Sequence, residues 1–368
     1  MANFDTEKLK VNDENFPPSD WVETTLGEVV IISSGKSRPK DKGIFPVYGG
    51  NGILDYADNF NFENETIIIG RVGAYCGCVY FETEKFWLSD NALGIKSNKK
   101  SDIKFLYYFL INQNLNKKAI GGAQPLLTQG ILNQIEIAIP PLLEQIAIAS
   151  VLSSFDDKIE LLREQNKTLE EMGQVIFGEW FGKYGVDDEL PEGWRIGKLG
   201  EVCEITSGKR PENISDIKTE LHQIPLLGAT KIMGFVENYL FDGKTLIIGR
   251  VGTHGEVQRF NEKIFPSDNT LVIKSGHFVF VYQILKSIDY VKMNRGAVQP
   301  LITQTDLKNY EIIIPSDEVL QNFKDATNPV FEKIDQNNSQ IQSLSKSRDE
   351  LLPRLMRGEV RVSGEVKC

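Results

Sequence analysis

Thr66-Ile67-Ile68-Ile69-Gly70-Arg71-Val72-Gly73 recurs 179 residues later as Thr245-Leu246-Ile247-Ile248-Gly249-Arg250-Val251-Gly252. Each stretch is a short apolar run that is closed by a glycine, which is typical of a buried β-strand that ends in a turn. A duplicated buried strand predicts that the chain contains two copies of one folding unit.

Further blocks recur around this strand in the same order, at offsets between 173 and 178 residues. Residues 37–66 and 210–245, between the blocks, share little, so the two copies are expected to carry different loops, where recognition usually resides. The first copy has Trp21, Leu26-Gly27-Glu28-Val29, Ser34-Gly35-Lys36, Ser89-Asp90-Asn91, Gln124-Pro125-Leu126 and Thr128-Gln129, and the second has Trp194, Leu199-Gly200-Glu201-Val202, Ser207-Gly208-Lys209, Ser267-Asp268-Asn269, Gln299-Pro300-Leu301 and Thr303-Gln304.

A long helix is predicted after each copy, because mostly apolar residues recur there in alternating steps of three and four, the heptad spacing of a coiled coil. We call these positions the seam, the face along which two helices would pack. The chain must return after the second copy, so an antiparallel pair is expected. Asn166 and Asn337 either fix the helix register or are tolerated polar positions on amphipathic helices. The seams are Leu152, Phe155, Ile159, Leu162, Asn166, Leu169, Gly173, Ile176 and Trp180, and Val330, Ile334, Asn337, Ile341, Leu344, Arg348, Leu351 and Leu355.

The predicted fold class is α+β, with two similar mixed α/β domains joined by two long antiparallel helices that form a coiled coil. Each domain is expected to contain one helix, at Ile103–Asn114 and at Phe280–Met293, among strands at Val29–Ile32, Thr66–Ile69, Gly77–Phe81, Ile135–Ile139, Thr245–Ile248 and Leu271–Ile273. The expected segments are an N-terminal extension at 1–20, a first domain at 21–140, a central helix at 141–182, a second domain at 183–315, and a C-terminal helix and tail at 316–368.

Composition excludes several classes of protein. Of 368 residues, 41% are hydrophobic and 25% are charged, no apolar run reaches membrane-spanning length, and four cysteines are too few for a disulfide framework. A cytoplasmic protein without a membrane partner is therefore expected. The net charge is −10, but residues 141–193 hold 12 acidic and only 4 basic side chains. The two predicted domains are nearly neutral, so a local basic face that binds DNA is compatible with this composition.

Catalytic and metal-binding motifs are incomplete. Gly35-Lys36-Ser37 resembles the end of a phosphate-binding loop, but Val30 stands where that loop needs its first glycine. Cys76 and Cys78 lack a second pair of zinc ligands. Asn328-Pro329-Val330-Phe331 lacks the second proline of an adenine methyltransferase site. The sequence therefore predicts a protein that is not an enzyme and that holds no metal or cofactor.

Two polar turns are candidates for binding DNA phosphates, because hydroxyls, cations and backbone amides beside glycine suit phosphate oxygens. The alternative, a polar surface turn, also remains open. The turn residues are Ser34, Lys36 and Arg38 in the first copy, and Ser207, Lys209 and Arg210 in the second.

Arg71 and Arg250 could contact guanine edges or phosphates. They could also form ion pairs with Asp90 and Asp268, and this role is favoured because arginine and aspartate recur together. Gln124 and Gln299 could bridge adenine, but capping the turn before the following proline is favoured. The unmatched loops supply the other base-reading candidates, which are Lys40, Lys42, Tyr48, Asn51, Tyr75, Lys231, Asn238, Thr253 and His254.

Over residues 17–362, the chain resembles the DNA-specificity subunits of type I restriction–modification enzymes. The resemblance rests on the two-copy plan, on the domain starts at Trp21 and Trp194, and on the two helix motifs. These are Pro140-Pro141-Leu142-Leu143-Glu144-Gln145 and Leu351-Leu352-Pro353-Arg354-Leu355-Met356-Arg357-Gly358-Glu359. The start of the second helix, Pro315-Ser316-Asp317-Glu318, departs from the family pattern because it lacks Glu-Gln.

The resemblance implies a non-catalytic subunit whose two target-recognition domains each read half of a split, asymmetric site in double-stranded DNA. It also implies that two methyltransferase subunits, which carry S-adenosylmethionine, dock on this chain and that motor-nuclease subunits join for cleavage. Phe155, Ile159, Leu162, Asn166, Leu169, Ile334, Asn337, Ile341, Leu344 and Leu351 are the expected helix-pair residues. The alternative is a tandem scaffold that joins protein partners without DNA, which the absence of salt-sensitive DNA binding would favour.

Overall fold

The computed structural model describes residues 9–11, 16–122, 124–250, 256–293 and 301–362. In chain order, its strands and α-helices are β1 Leu9–Val11, β2 Val22–Thr25, β3 Val30–Ser34, β4 Lys42–Gly49, β5 Gly52–Ala57, β6 Thr66–Gly70, β7 Val79–Glu82, β8 Trp87–Leu88, β9 Ala92–Ser97, α1 Ile103–Asn112, α2 Gln129–Asn133, β10 Glu136–Ile139, α3 Leu142–Phe181, β11 Arg195–Lys198, β12 Glu204–Ser207, β13 Ile224–Leu227, β14 Ile232–Val236, β15 Lys244–Gly249, β16 Val257–Asn261, β17 Phe265–Pro266, β18 Thr270–Lys274, α4 Phe278–Ser287, α5 Tyr290–Met293, α6 Gln304–Lys308, β19 Glu311–Ile314, α7 Asp317–Met356 and β20 Val360–Val362.

The chain divides into two compact units. Unit 1 comprises the described residues of 1–160 and 341–368, and unit 2 comprises those of 161–340. Each unit therefore contains one globular copy together with a segment of α3 and a segment of α7. No helix among the described residues is long and apolar enough to cross a membrane.

Unit 1 is built on an antiparallel four-stranded sheet in the order β3-β9-β6-β7. A three-stranded sheet, β5-β4-β8, and two-stranded pairs of β2 with β10 and of β1 with β20 complete its strands. The interior strand β6 is fully buried, as its continuous apolar sequence predicts. Ile67 and Ile69 join the main core around α1, whereas Ile68 belongs to a separate core with Phe86 and Leu88. Alternate residues of one strand thus support two cores.

Unit 2 repeats this plan apart from the β1–β20 pair, which has no counterpart among its described strands. Its sheets have the orders β12-β18-β15-β16, β14-β13-β17 and β11-β19. Leu246 and Ile248 of β15 face the main core, and Ile247 faces the smaller one. The structure therefore confirms the predicted fold class of two similar mixed α/β domains.

The helix predicted at Phe280–Met293 is wrong in its bounds. α4 begins at Phe278 and ends at Ser287, and the chain resumes as the one-turn helix α5. The break follows from Ile288, whose φ of −67° and ψ of 130° are extended rather than helical. Its buried side chain joins the unit 2 core, and the core contact outweighs helix continuity.

The predicted seam residues of α3 and α7 point inward in both units. Phe155, Ile159 and Leu162 on α3 and Ile334 on α7 are buried, while most residues between seam positions are exposed. In unit 1, Asp156 contacts Arg348, and in unit 2 Asn166 contacts Asn337 while Trp180 packs on Phe323. Residue numbers fall along α7 as they rise along α3, so the pair is antiparallel.

Asn166 and Asn337 hydrogen-bond to each other across the helix pair. Asn337 Nδ2 donates to Asn166 Oδ1 at 2.9 Å, and Asn166 Nδ2 donates to Asn338 Oδ1 at 2.8 Å. The side chain of Asn337 is fully buried, and its Oδ1 has no partner among the described residues. This contact supports the register role, because only one alignment of the helices brings the amides together.

Replacing Asn166 and Asn337 together with leucine should raise the free energy of unfolding by about 1–2 kcal/mol, because a buried amide with an unpaired oxygen becomes an apolar contact. The single change Asn166→Leu should lower it, because Asn337 then remains buried without its partner. Chemical denaturation of the full chain measures both. A double variant less stable than the parent would contradict the role of the amides as register-fixing groups that cost stability.

The helix pair carries different chemistry in the two units. In unit 1, Asp156 accepts hydrogen bonds from Arg348 Nη1 at 2.5 Å and from Tyr108 Oη at 2.6 Å. Burial and this carboxylate raise the pKa of Tyr108. In unit 2 the ring of Phe331 takes the place of the carboxylate and fills the space beside Gly173 that a larger side chain would occupy. The guanidinium group at this ring comes from Arg259 of the globular copy, 4.7 Å from the ring centroid, and not from the partner helix.

The two long helices also start differently. Gln145 is buried in the first turn of α3, where its Oε1 accepts from the Asp102 amide at 2.8 Å and its Nε2 donates to Pro140 O at 2.9 Å. In α7 the same place is held by the buried Leu320, which joins the unit 2 core. The second helix nevertheless begins at Asp317, so an apolar contact replaces the polar one where the family motif is missing.

Candidate nucleic-acid interface

The repeated sequence blocks of unit 1 come together at one place. The amide of Gly35 donates to Ala92 O at 3.3 Å, and that of Lys36 donates to Leu88 O at 3.0 Å. These bonds join the Ser-Gly-Lys turn to both sides of the Ser-Asp-Asn turn.

Arg71 joins the remaining blocks through its backbone. Its amide donates to Asn91 O at 3.0 Å, and its carbonyl accepts from the Leu127 amide at 2.8 Å. Gln129 then reaches back to the first turn, where its Nε2 donates to Ser34 Oγ at 3.0 Å. We call this closed set of contacts the unit 1 junction; it comprises residues 34–36, 70–72, 88–92 and 126–129.

Unit 2 makes the same junction from residues 207–209, 249–250, 266–270 and 301–304. Its bonds run from Gly208 N to Thr270 O at 3.2 Å, from Lys209 N to Pro266 O at 3.0 Å, from Arg250 N to Asn269 O at 3.0 Å, from Ile302 N to Arg250 O at 3.0 Å, and from Gln304 Nε2 to Ser207 Oγ at 2.7 Å. The blocks that recur in the sequence are therefore the segments that hydrogen-bond to one another in each junction.

The junctions correct the proposed role of the turn amides. The amides of Gly35, Lys36, Gly208 and Lys209 already donate to backbone carbonyls, so they are not available to phosphate oxygens. The side chains of Lys36, Lys209 and Arg210 remain exposed. Phosphate binding at these turns would rest on the cationic side chains.

Gly35 has to be glycine. A Cβ at this position would overlap the carbonyl oxygen of Ser89, and one at Gly208 would overlap that of Ser267. We expect Gly35→Ala to lower the free energy of unfolding by about 2–3 kcal/mol, because the junction must open to admit the methyl group. Thermal unfolding measures the change. Gly122→Ala is the control, since nothing lies within 4 Å of its Cβ position, and equal melting temperatures for the two variants would contradict the close approach.

The favoured ion pairs of Arg71 with Asp90 and of Arg250 with Asp268 are wrong for the described part of the chain. Both aspartates are exposed, and no ion pair involves either arginine there. In each copy the arginine Nε is buried without a hydrogen-bond partner among the described residues, while the side chain as a whole is partly exposed. The recurrence of the two residue types reflects backbone contacts, and neither guanidinium group has an acidic partner among the described residues.

A β-hairpin lies against each junction. In unit 1 it is β4–β5, whose Tyr48 carbonyl accepts from the Ser89 amide at 2.9 Å. In unit 2 it is β13–β14, whose Leu227 carbonyl accepts from the Ser267 amide at 2.9 Å. The expectation that residues 37–66 and 210–245 share little is therefore incomplete. Pro46, Gly49 and Ile53 match Pro225, Gly228 and Ile232 at the same offset of 179 residues as the central strands.

The family model for the "Type I restriction modification DNA specificity domain" matches residues 18–171 and again residues 191–345. These two matches cover most of the chain and contain both junctions. The chain belongs to this family of DNA specificity domains.

One relative and one solved structure match nearly the full length of this chain, and a second relative matches part of it. The "Type I restriction enzyme MjaIX specificity subunit" of Methanocaldococcus jannaschii is 31% identical, over 98% of this chain and 99% of its own length. The "Type I restriction enzyme EcoprrI specificity subunit" of Escherichia coli is 30% identical over 39% of this chain and 38% of its own length. The S subunit crystal structure from M. genitalium has the same fold, with a TM-score of 0.63 at 21% identity, covering 95% of this chain and 98% of that one.

Several predicted DNA-contacting residues of the first specificity domain are accessible. Lys40, Asn51 at the tip of the β4–β5 hairpin, and Tyr75 are exposed. Arg38 is held by Asp55, with 3.2 Å between Nη2 and Oδ2, and it donates to Leu54 O at 3.0 Å. Lys42 also binds Asp55, and this hydrogen bond lowers the pKa of that carboxyl group.

Tyr48 is not accessible, which corrects its place among the base-reading candidates. Its ring is buried between the hairpin and the sheet, and its Oη donates to Glu82 Oε2 at 2.8 Å. Burial, followed by this hydrogen bond, raises the pKa of Tyr48. The residue supports the hairpin rather than facing outward.

The second specificity domain exposes Lys231, in its hairpin turn, and Asn238. Gln124 is exposed in the first domain, whereas Thr253, His254 and Gln299 lie outside the described residues. No cluster of metal-binding side chains occurs in the part of the chain that the structure describes. Cys76 instead donates to Arg71 O at 3.3 Å, and burial raises the pKa of its thiol.

Proposed function

We propose that this chain is the sequence-specific, double-stranded-DNA recognition subunit of a type I restriction–modification complex. Each domain reads one half of a bipartite, asymmetric site, and the helix pair sets the spacer between the halves. The observation that carries the proposal is the duplicated junction with unlike hairpin tips, Asn51-Gly52 in one copy and Thr230-Lys231 in the other. An identical frame with different polar groups suits two half-sites of different sequence.

The cationic side chains beside each junction would hold the DNA backbone. Lys36, Arg71, Lys209, Arg210 and Arg250 are the candidates, with Arg71 and Arg250 also able to reach guanine edges. The chain itself supplies no catalytic group in this proposal. Two methyltransferase subunits, which bring S-adenosylmethionine, dock on it, and motor-nuclease subunits complete the complex.

Methylation mapping tests the proposal directly. Cells that carry this chain with its methyltransferase partner should modify one bipartite sequence, and cells that lack only this chain should not. Salt-sensitive retention of that DNA by the purified complex should accompany the modification. A chain that joins its partners but leaves the methylation pattern unchanged would indicate the tandem protein scaffold instead.

Arg71→Ala should weaken binding of the complex to its site by roughly tenfold to a hundredfold, the usual cost of losing an arginine contact to DNA. Folding should be unaffected, because no ion pair among the described residues uses this side chain. Arg250→Ala is the matched variant in the other copy. Fluorescence anisotropy with duplexes altered in one half-site at a time measures both, and unchanged affinity in either variant would remove that arginine from the interface.

A further inference from the structure

Two consecutive apolar residues follow the hairpin turn in each copy, and both are exposed. Ile53 and Leu54 are 47% and 44% exposed in unit 1, and Ile232 and Met233 are 53% and 51% exposed in unit 2. Successive strand residues normally point to opposite faces, so two neighbours that both reach solvent need a local cause.

A β-bulge supplies this cause in both hairpins. Tyr48 pairs with Ile53 and Val47 with Asp55, which leaves Leu54 as the extra residue. Leu227 pairs with Ile232 and Leu226 with Gly234, which leaves Met233 as the extra residue. Bulges redirect side chains and occur next to functional sites.

The bulged side chain is held in the same way in both copies. A Cβ on Gly49 would overlap Leu54, and a Cβ on Gly228 would overlap the thioether of Met233. Each glycine therefore makes room for the side chain above it. The bulge, the glycine and the exposed apolar pair recur together although the polar residues of the turns differ.

The surroundings of the pair are cationic. Arg38 donates to the Leu54 carbonyl, and Arg38 and Lys42 share the single carboxylate of Asp55, which leaves a net positive charge there. In unit 2, Lys231 directly precedes the pair. The hairpins also adjoin the junctions that present Arg71 and Arg250. An apolar surface with a cation beside it complements DNA, where apolar groups on the bases lie between two rows of phosphates.

Only one base offers an apolar group in the major groove, namely thymine with its C5-methyl, and a two-stranded β-ribbon fits that groove. We propose that Ile53–Leu54 and Ile232–Met233 read thymine C5-methyl groups in the major groove, one pair in each half-site. This inference rests on the proposed function in DNA recognition and adds the chemical group that each hairpin reads.

The test uses the complex of the full chain with its methyltransferase partner and duplexes of the mapped methylation site. Deoxyuridine replaces thymidine, which removes only the C5-methyl, in one half-site at a time. Affinity should fall about fourfold for each methyl group that is contacted, the value of one buried carbon. Ile53→Ser with Leu54→Ser should abolish the difference between thymine and uracil in one half-site, and Ile232→Ser with Met233→Ser should abolish it in the other.

Ile44→Ser is the matched control, because Ile44 is 80% exposed on the same hairpin but lies on β4 in a separate register shift, between Lys42 and Phe45, away from the turn and from Leu54. It should keep full sensitivity to uracil. A complex that methylates its site with equal affinity for thymine and uracil in both halves would overturn the inference while the proposed function stands. Serine variants that no longer bind the methyltransferase would also overturn it, since the pairs would then face protein. Absence of any site-specific methylation would instead overturn the proposed function.

Discussion

Exchange of residues 37–66 for the equivalent segment of a relative with another target should change one half of the methylated sequence and leave the other half intact. The exchanged segment contains the whole β4–β5 hairpin with Asn51 at its tip, but none of the residues that form the unit 2 junction. The new half-site should be that of the donor, at a methylation level close to that of the parent. Sequencing of modified bases in the recipient cells measures both halves at once.

The reciprocal exchange of residues 210–245, which contains the β13–β14 hairpin, is the matched control. It should change the other half only, and the two exchanges together should produce a wholly new site. Domains that read DNA jointly would give a different result. In that case either exchange would alter both halves, or would abolish methylation without creating a new sequence.

Insertion of one heptad into each long helix should abolish methylation at the original site and permit it only at a site with a longer spacer. The insertions belong between Leu162 and Leu169, just before Asn166, and between Asn337 and Leu344, just after Asn338. These places preserve the amide contacts among the three asparagines. Seven residues lengthen each helix by about 10 Å, near three base pairs, and rotate the half-sites by about 100° relative to each other.

The half-site sequences should remain as in the parent, because no hairpin has changed. An insertion in α3 alone is the control, and it should lower the melting temperature because the two seams no longer match. Methylation of the original spacing at the parental rate by a folded double-insertion variant would show that the helices do not measure the spacer.

The features predicted from the sequence were those with strong periodicity or exact repetition. The buried strand ending at Gly70 and the α3 and α7 seams follow local rules of burial and spacing, and the structure confirms them. The break after α4 was not predictable, because Ile288 is a good apolar match to a helix and leaves it only to enter the core.

The contacts of individual side chains are harder to predict from the sequence than the locations of strands and helices. Arg71 and Asp90 recur together, and pairing was a reasonable expectation, yet both residues recur because their segments bond through the backbone. Comparison of the two copies does not reveal the hairpins, because only a few of their residues match. Pro46, Gly49 and Ile53 are the residues that match, but the contact of Gly49 with the bulged Leu54 becomes visible only in the folded hairpin.

The two long helices carry different side chains at equivalent positions, so the protein is less symmetric than its repeated sequence indicates. Arg348 occupies the place in α7 that Gly173 occupies in α3, and Phe331 likewise corresponds to Asp156. Two copies of the first repeat would set the Asp156 carboxylate opposite a glycine, without its guanidinium partner. Two copies of the second repeat would bring Arg348 to a ring that the Arg259 guanidinium already contacts, with no carboxylate opposite it on the partner helix. At these positions the two helices are therefore complementary rather than interchangeable, so the pairing of one helix with the other is favoured over the pairing of two like helices.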